Sequence, residues 1–184
     1  MPAFHETLRR RREEVCMGEG RASQLLGLTT MGYFDLEAYE DEWRTVVPLY
    51  ITMFACRIFE IDMLQFVPDQ TGVAVGHNVL AGDVINERRE TMGLSAEAFA
   101  ERCGYAPDFA SIVEAGGLIL YPFEDVRTVC EVLGLDMKSF MRHGLLALTN
   151  ALTVPLCSRV PRESLPHMLQ MLSKPHKGSL PCPQ

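Results

Sequence analysis

The chain has 184 residues, of which 47% are hydrophobic and 22% are charged, and these values are typical of a soluble globular protein. No apolar run is long enough to span a membrane, and no apolar signal core follows the basic N-terminal stretch, so we expect a cytoplasmic protein of bacterial or phage type. The formal net charge of −7 disfavours strong attraction to a polyanion.

Residues 1–66 are predicted to form a first domain of five short helices. Their match to a clearer second domain places these helices near 5–16, 20–26, 30–38, 46–58 and 61–67. About 60 residues are enough for one small helical core. Residues 67–78, which contain proline and glycine, are predicted to be the linker to the second domain.

Residues 79–143 are predicted to form the second domain, with helices near 82–92, 95–103, 107–115, 122–133 and 136–143. Ser95 is a good N-cap for a helix with Phe99 and Cys103 on its apolar side. Gly104 suits the sharp turn that ends this helix, because glycine accepts a positive φ. Pro107 suits the first turn of the next helix, where a missing amide proton costs nothing.

The C-terminal segment, residues 144–184, begins with a run that is too apolar to be free in water. We expect residues 145–152 to pack on the two domains or on a second subunit, which makes a homodimer possible. One further short helix is expected between Pro161 and Ser173. Residues 175–184, with three prolines, are predicted to be a disordered tail.

The two domains repeat one another under a nearly constant shift. A shift of 77 residues carries Gly27 onto Gly104, and after the third helix a shift of 74 carries Pro48 onto Pro122. Other matched pairs are Leu8 and Ile85, Arg12 and Arg89, Glu37 and Glu114, Cys56 and Cys130, Asp62 and Asp136, Met63 and Met137, and Phe66 and Phe140. A difference of three residues fits an insertion in a loop at 39–44. The sequence therefore indicates a tandem duplication.

Residues 84–116 resemble the Cro/C1-type, or phage-repressor-like, helix-turn-helix family. The resemblance implies an all-α fold of two tandem five-helix domains, of which the first is degenerate, and a role in regulating transcription. It also implies that the third helix of each domain is a recognition helix. An ion pair between Arg89 and Glu114 would hold that helix to the first one, and the shift predicts the same pair between Arg12 and Glu37.

The resemblance also identifies candidate contacts to double-stranded DNA, which the two domains would bind at paired half-sites. Base-contacting positions on the recognition helices would be Pro107, Asp108, Ser111 and Ile112 in the second domain and Thr30 and Met31, followed by Phe34 and Asp35, in the first. Candidate phosphate contacts are Arg9, Arg10, Arg11, Arg21, Arg88 and Arg102.

Charge and side-chain chemistry keep a second interpretation open. Residues 1–78 hold seven basic and twelve acidic side chains, and residues 79–143 hold six and eleven. Neither recognition helix offers Arg, Lys, Asn or Gln, which make bidentate contacts to bases. The alternative is a helix-turn-helix protein that binds and inhibits or modulates a transcription factor, through a face that includes Met31, Tyr33, Phe34 and Trp43 together with Asp35.

The sequence offers no catalytic constellation, so we do not expect an enzyme, a metal site or a cofactor. Six cysteines occur without a CxxC pair or a histidine at metal-ligand spacing, and five histidines are scattered. Cys56, Cys103 and Cys130 occupy positions that suit small core hydrophobes.

Overall fold

A computed structural model describes residues 3–77 and 79–145, and this part of the chain is all-α. The first half consists of four α-helices and two short helices that follow the third and fourth of them. The α-helices are α1 (Phe4–Glu14), α2 (Glu19–Leu26), α3 (Thr30–Ala38) and α4 (Leu49–Ile58). The short ones are a π-helix at Glu42–Val46 and a 3-10 helix at Met63–Phe66.

The second half repeats this order as far as its fourth α-helix. Its α-helices are α5 (Ala81–Thr91), α6 (Ala96–Arg102), α7 (Asp108–Glu114), α8 (Phe123–Leu133) and the single turn α9 (Met137–Ser139). A 3-10 helix at Gly117–Leu120 precedes α8, and a π-helix at Phe140–Leu145 follows α9. Shifting α1 by 77 residues makes it coincide with α5 at both ends, so the repeat in the sequence has a structural counterpart.

The two halves meet at equivalent residues. Pro48 pairs with Pro122 in an isolated antiparallel bridge, and the amide of Leu49 donates to the carbonyl of Tyr121 at 2.8 Å. Because Pro48 and Pro122 correspond under the shift of 74, an antiparallel pairing between them gives the contact approximate local twofold symmetry. The helices α3 and α7 end at Ala38 and Glu114, about ten residues before these two prolines.

Aromatic side chains fill the junction between the halves. The Trp43 ring, from the π-helix after α3, lies 4.9 Å from the Phe4 ring and 4.7 Å from the Phe123 ring, measured between centroids. Beside it the Arg44 Nη2 atom lies 2.7 Å from Glu124 Oε1. Phe123 is the first residue of α8 in the second half. The buried side chains of the two halves therefore form one hydrophobic core.

Residues 67–77, which connect the two halves, contact the second half. Val67 and Val75 are buried, and Val73 forms a parallel bridge with Leu135 of the second half. The amide of Val73 donates to the carbonyl of Gly134 at 2.8 Å. The segment predicted as a linker is therefore held along the second half by backbone contacts, which include the amide of Val75 donating to Ser139 Oγ at 3.0 Å.

The predicted helices agree with the observed ones to within a few residues at most ends. The main differences are the two short helices at 42–46 and 117–120, which the sequence analysis did not anticipate. The expected apolar packing segment beyond Leu145, the expected helix at 161–173, the disordered tail and the homodimer contact lie outside the described residues.

Candidate recognition surfaces

A glycine in the left-handed region lies in the turn before α3 and in the turn before α7, and a hydroxyl caps α3. Gly27 after α2 has φ 68° and Gly104 after α6 has φ 82°, both in the left-handed region that glycine adopts without strain. Thr29 Oγ1 accepts from the amide of Gly32 at 3.0 Å and so caps α3. Ser95 caps α6 in the same way, as the sequence predicts.

A buried ion pair fixes α3 against α1. Arg12 donates from Nε and Nη2 to the two carboxylate oxygens of Glu37, at 2.7 and 2.8 Å, and from Nη1 to the carbonyl of Met17 at 2.8 Å. The Tyr33 hydroxyl donates to Glu37 Oε1 at 2.6 Å, and its burial beside that carboxylate raises the pKa of Tyr33. The hydrogen bond to the Glu37 carboxylate raises the pKa of Arg12, so the guanidinium stays charged.

The second half contains the equivalent network. Arg89 Nε donates to Glu114 Oε1 at 2.5 Å, and Arg89 Nη1 donates to the carbonyl of Leu94, the counterpart of Met17, at 2.8 Å. Arg89 also donates to Asn86 Oδ1 at 2.7 Å. The ion pair that the resemblance implies and the one that the repeat predicts are therefore both present, and each holds the third helix of its half to the first.

The outer face of α3 exposes apolar side chains. Met31 is 68% exposed and Phe34 is 47% exposed, while Thr30 is also exposed. Tyr39, directly after the helix, is exposed as well. Large apolar side chains that solvent reaches in a cluster commonly mark a contact with another macromolecule.

Two residues expected on that face are buried, and their prediction as partner contacts was wrong. Tyr33 is fully buried because its hydroxyl is needed by Glu37 and its ring lies on the inner side of α3. Trp43 is fully buried because the insertion after α3 folds as a π-helix and directs the indole into the junction between the halves.

The corresponding face of α7 is more polar. Pro107, Asp108 and Ser111 are exposed, and Ile112 is half-buried. The Ser111 hydroxyl donates to the carbonyl of Asp108 at 2.7 Å, so part of its hydrogen-bonding capacity is used within the helix. The only charge that this set of residues presents is negative.

Most of the candidate phosphate-binding arginines make contacts within the chain. Arg9 donates to the carbonyl of Glu37, Arg11 to the carbonyls of Phe59 and Glu60, and Arg88 to the carbonyl of Leu133. These donors satisfy carbonyls at the ends of helices, which explains why arginine stands at these positions. The resemblance alone did not indicate this structural use.

Within residues 3–77 and 79–145, six arginines are exposed: Arg9, Arg10, Arg21, Arg57, Arg102 and Arg142. Of these, Arg21, Arg102 and Arg142 form no ion pair with another described residue. Arg10 is exposed and lies 3.7 Å from Glu14. The Glu97 carboxylate, whose pKa is lowered by a backbone hydrogen bond and by Ser95, already occupies the N-terminus of α6, where an anion would otherwise bind.

Three carboxylates lie next to the apolar face of α3. Burial raises the pKa of Glu42, and the nearby carboxylates of Asp35 and Asp41 raise it further. No cation within the described residues pairs with the side chains of these three residues. We call Met31, Phe34, Asp35, Tyr39 and Glu42 the acidic-apolar face.

The cysteines in the core behave as apolar side chains. Burial raises the pKa of Cys56 to about 12 and that of Cys103 to about 11, which leaves both thiols protonated and unreactive. Among the described residues no group of three or more His, Cys, Asp or Glu is arranged to hold a metal ion.

Comparisons with protein-family models, with curated proteins and with solved structures find no match to this chain. Among the helices of the described residues, none combines the length and the apolar character needed to cross a membrane.

Proposed function

We propose that this chain is a regulator with a helix-turn-helix scaffold that acts by binding another protein, such as a transcription factor, through the acidic-apolar face. The observation that carries this proposal is the contrast between the apolar and the basic side chains of the surface. Exposed apolar side chains are present on α3, whereas the arginines that would serve DNA are largely engaged within the fold.

The contribution that phosphate contacts make to DNA affinity also favours a protein partner. A sequence-specific protein that makes about 6–10 phosphate contacts owes much of its affinity to them, and each contact adds about 0.9 to the slope of log K against log salt. Even the six exposed arginines of the described residues reach only the lower end of that range, and two of them, Arg9 and Arg10, already have partners within the fold, so the phosphate contribution would be small. The carboxylates around them would reduce it further.

The chemistry of the face defines the partner. Met31 and Phe34 would enter an apolar depression, since buried aromatic and flexible apolar side chains dominate interface energetics. Asp35 and Glu42 would face basic side chains around that depression, because a cation nearby relieves their mutual repulsion. The partner is therefore a protein surface with an apolar centre and a basic rim.

Binding to double-stranded DNA is the second candidate, and the approximate twofold contact between the halves favours it. Paired recognition helices related by such an axis are the arrangement that twofold half-sites require. In this case Arg21 and Arg102 would contact phosphates, and Ser111 with Thr30 would lie nearest the bases.

A selection from sheared genomic DNA of the host separates the two candidates. The full-length protein is immobilised, DNA is passed over it at low and at about physiological salt, and the retained fragments are sequenced. The protein-binding proposal predicts fragments without a recurring motif, and retention that disappears at the higher salt. A recurring motif with two half-sites, lost in Arg21→Ala and Arg102→Ala but retained in Phe34→Ala, would replace it by the DNA-binding candidate.

A further inference from the structure

Two histidines contact each other where the segment that connects the halves meets the end of the second half. The ring centroids of His77 and His143 lie 4.0 Å apart, and the ring planes meet at 69° in an edge-to-face arrangement. His77 is exposed at the end of the connecting segment, and His143 is half-buried in the π-helix Phe140–Leu145. The contact therefore joins two parts of the chain that are far apart in the sequence.

The histidine contact is the last of several that hold the connecting segment on the second half. The Val73 amide donates to the carbonyl of Gly134 at 2.8 Å, and two residues later the Val75 amide donates to Ser139 Oγ at 3.0 Å. The Val75 side chain is buried, with 8% of its surface exposed. Release of this end of the segment would therefore expose an apolar side chain and free one amide.

No carboxylate stands ready to neutralise a proton on these rings. Among the described residues no acidic side chain hydrogen-bonds to His77 or His143. The acids of the neighbouring elements are engaged elsewhere or exposed. Asp69 pairs with Lys138, Asp136 accepts from the amide of Ser139, Asp62 accepts from the amide of Leu64, and Asp83 and Glu87 of α5 are exposed.

The basic groups on the same elements add only positive charge. Arg142 precedes His143 in the π-helix, and Arg88 of α5 donates to the carbonyl of Leu133. Met141 of the π-helix lines a groove together with Arg57. A proton on either histidine thus enters a region in which the nearest charge, that of Arg142, is already positive.

Proton binding to His143 is disfavoured while the segment is docked. Desolvation lowers the pKa of His143, and the positive charges of His77 and Arg142 lower it further. A group whose pKa is lowered in the docked state binds protons more strongly in the released state, so a falling pH favours release. Docking is at full strength above the ordinary histidine pKa of about 6.5 and weakens as the pH falls through it.

We propose that His77 and His143 form a pH-sensitive contact that holds residues 74–77 on the second half at neutral pH and releases them under mildly acidic conditions. Neutral imidazole rings pack edge to face, whereas two imidazolium ions at this separation repel each other. The pairing of Val73 with Gly134 uses backbone groups alone, so release is confined to the end of the segment. This proposal is independent of the partner proposed above.

Amide hydrogen exchange of the full chain measures this release. The protection factor of the Val75 amide, which corrects for the intrinsic pH dependence of exchange, is compared at about pH 7.5 and about pH 5. The amide of Leu49, which donates to Tyr121 at the junction between the halves, is the internal control. The variants are His143→Phe and His77→Phe, which keep an aromatic ring at the contact but cannot bind a proton.

The expected result is a fall in Val75 protection at the lower pH, about tenfold for each unit by which docking lowers the pKa of His143, with Leu49 unchanged. The fall should be absent in His143→Phe and smaller in His77→Phe, whose exposed position makes it the variant to rely on if His143→Phe does not fold. Unchanged Val75 protection in the unaltered protein, or an undiminished fall in His77→Phe, would overturn the proposal. An equal fall at Leu49 would show general loosening by acid, which also contradicts a local release.

Discussion

The ion pairs that anchor α3 and α7 differ in how deeply they are buried. The Arg12 and Glu37 side chains are 10% and 3% exposed, whereas those of Arg89 and Glu114 are 12% and 21% exposed. Removing one member of a buried pair leaves an uncompensated charge, and that cost is greater where water cannot reach the remaining member. The first half therefore depends more on its pair than the second half does.

We predict that Arg12→Ala lowers the free energy of unfolding by about 3–5 kcal/mol, and that Arg89→Ala lowers it by about 1–3 kcal/mol. The measurement is urea denaturation of the full chain, with Arg10→Ala as a control for an exposed arginine of the same helix. Equal losses for Arg12→Ala and Arg10→Ala would contradict the buried network.

A second prediction at this scale concerns Glu42, whose pKa is raised by burial and, to a smaller extent, by repulsion from Asp35 and Asp41. Because the folded protein raises the pKa of Glu42, its ionised form opposes folding, and this penalty is present above the folded pKa and vanishes below the unfolded pKa. Glu42→Gln should therefore increase stability at neutral pH, by less than about 1 kcal/mol for a solvated side chain. The gain should disappear as the pH falls through the pKa of Glu42.

The matched control for Glu42 is Glu40→Gln. Glu40 Oε2 accepts from the amide of Phe4 at 3.0 Å and contacts His5 Nδ1 at 2.8 Å, so its carboxylate supports the fold. Glu40→Gln should lower the midpoint of thermal unfolding at pH 7 while Glu42→Gln raises it. Changes of the same sign in both variants would refute the proposed repulsion.

Single residues show where sequence reasoning succeeds and where it fails. Local sequence was enough to predict the Ser95 cap and the left-handed Gly104. The two ion pairs were predicted from the family resemblance and from the repeat, and each joins positions within one half. The burial of Trp43 depends on Phe123, a residue 80 positions away in the other half, and no local pattern contains that information.

At the scale of elements, one glycine lets α5 approach the end of α7 closely. A Cβ atom at Gly82 would lie 2.0 Å from the carbonyl oxygen of Glu114, so any larger residue would push the helices apart. The counterpart of Gly82 in the first half is His5, which contacts Glu40 instead. The first helix therefore meets its recognition helix differently in the two halves.

We predict opposite effects for two glycine-to-alanine substitutions. Gly82→Ala should destabilise the protein by about 1–3 kcal/mol through overpacking. Gly20→Ala, in α2, should stabilise it by about 0.5–1 kcal/mol, because a Cβ there meets nothing within 4 Å and alanine favours a helix. Guanidinium denaturation of both variants tests this, and stabilisation by Gly82→Ala would contradict the close approach.

The α-helices were predictable from the sequence, while the short helices after α3 and α7 were not. Caps, glycines and apolar periodicity mark an α-helix, and the shift of 77 transferred these signals to the weaker first half. The π-helix at Glu42–Val46 carries no comparable signal. Its geometry follows from the burial of Trp43 between the halves, which is a tertiary effect.

For the whole molecule, the shared core predicts that the halves unfold together. Trp43 is the only tryptophan and lies between Phe4 of one half and Phe123 of the other, so its fluorescence reports on the junction. Denaturation followed by fluorescence and by circular dichroism should give one coincident transition. A fluorescence change that precedes the loss of helix would show that the halves separate before they unfold.

Loss of the Trp43 indole from the junction should strongly destabilise the protein. Trp43→Ala should lower the free energy of unfolding by about 3–5 kcal/mol, whereas Phe34→Ala, on the exposed side of α3, should lower it by less than about 1 kcal/mol. Thermal unfolding of the two variants measures this difference. Equal losses would mean that Phe34 belongs to the core, and the acidic-apolar face would lose its main anchor.

The arrangement of the halves could not be deduced from the repeat. A duplication fixes the fold of each copy but leaves open whether the copies pack together, and the contact between Pro48 and Pro122 appears only in the structure. The use of arginines as donors to helix-end carbonyls was likewise hidden, because a basic residue near a recognition helix has the same sequence signature in both roles.

The most direct test of the proposed function is a crosslinking measurement in host cells. A diazirine-bearing amino acid, which reacts with protein and with nucleic acid, is placed at position 34 or at position 111, the equivalent site on α7. The account predicts adducts to one defined protein from position 34, none from position 111, and loss of the adducts when Asp35→Lys and Glu42→Lys reverse the charge of the face. Adducts to DNA from either position would contradict it.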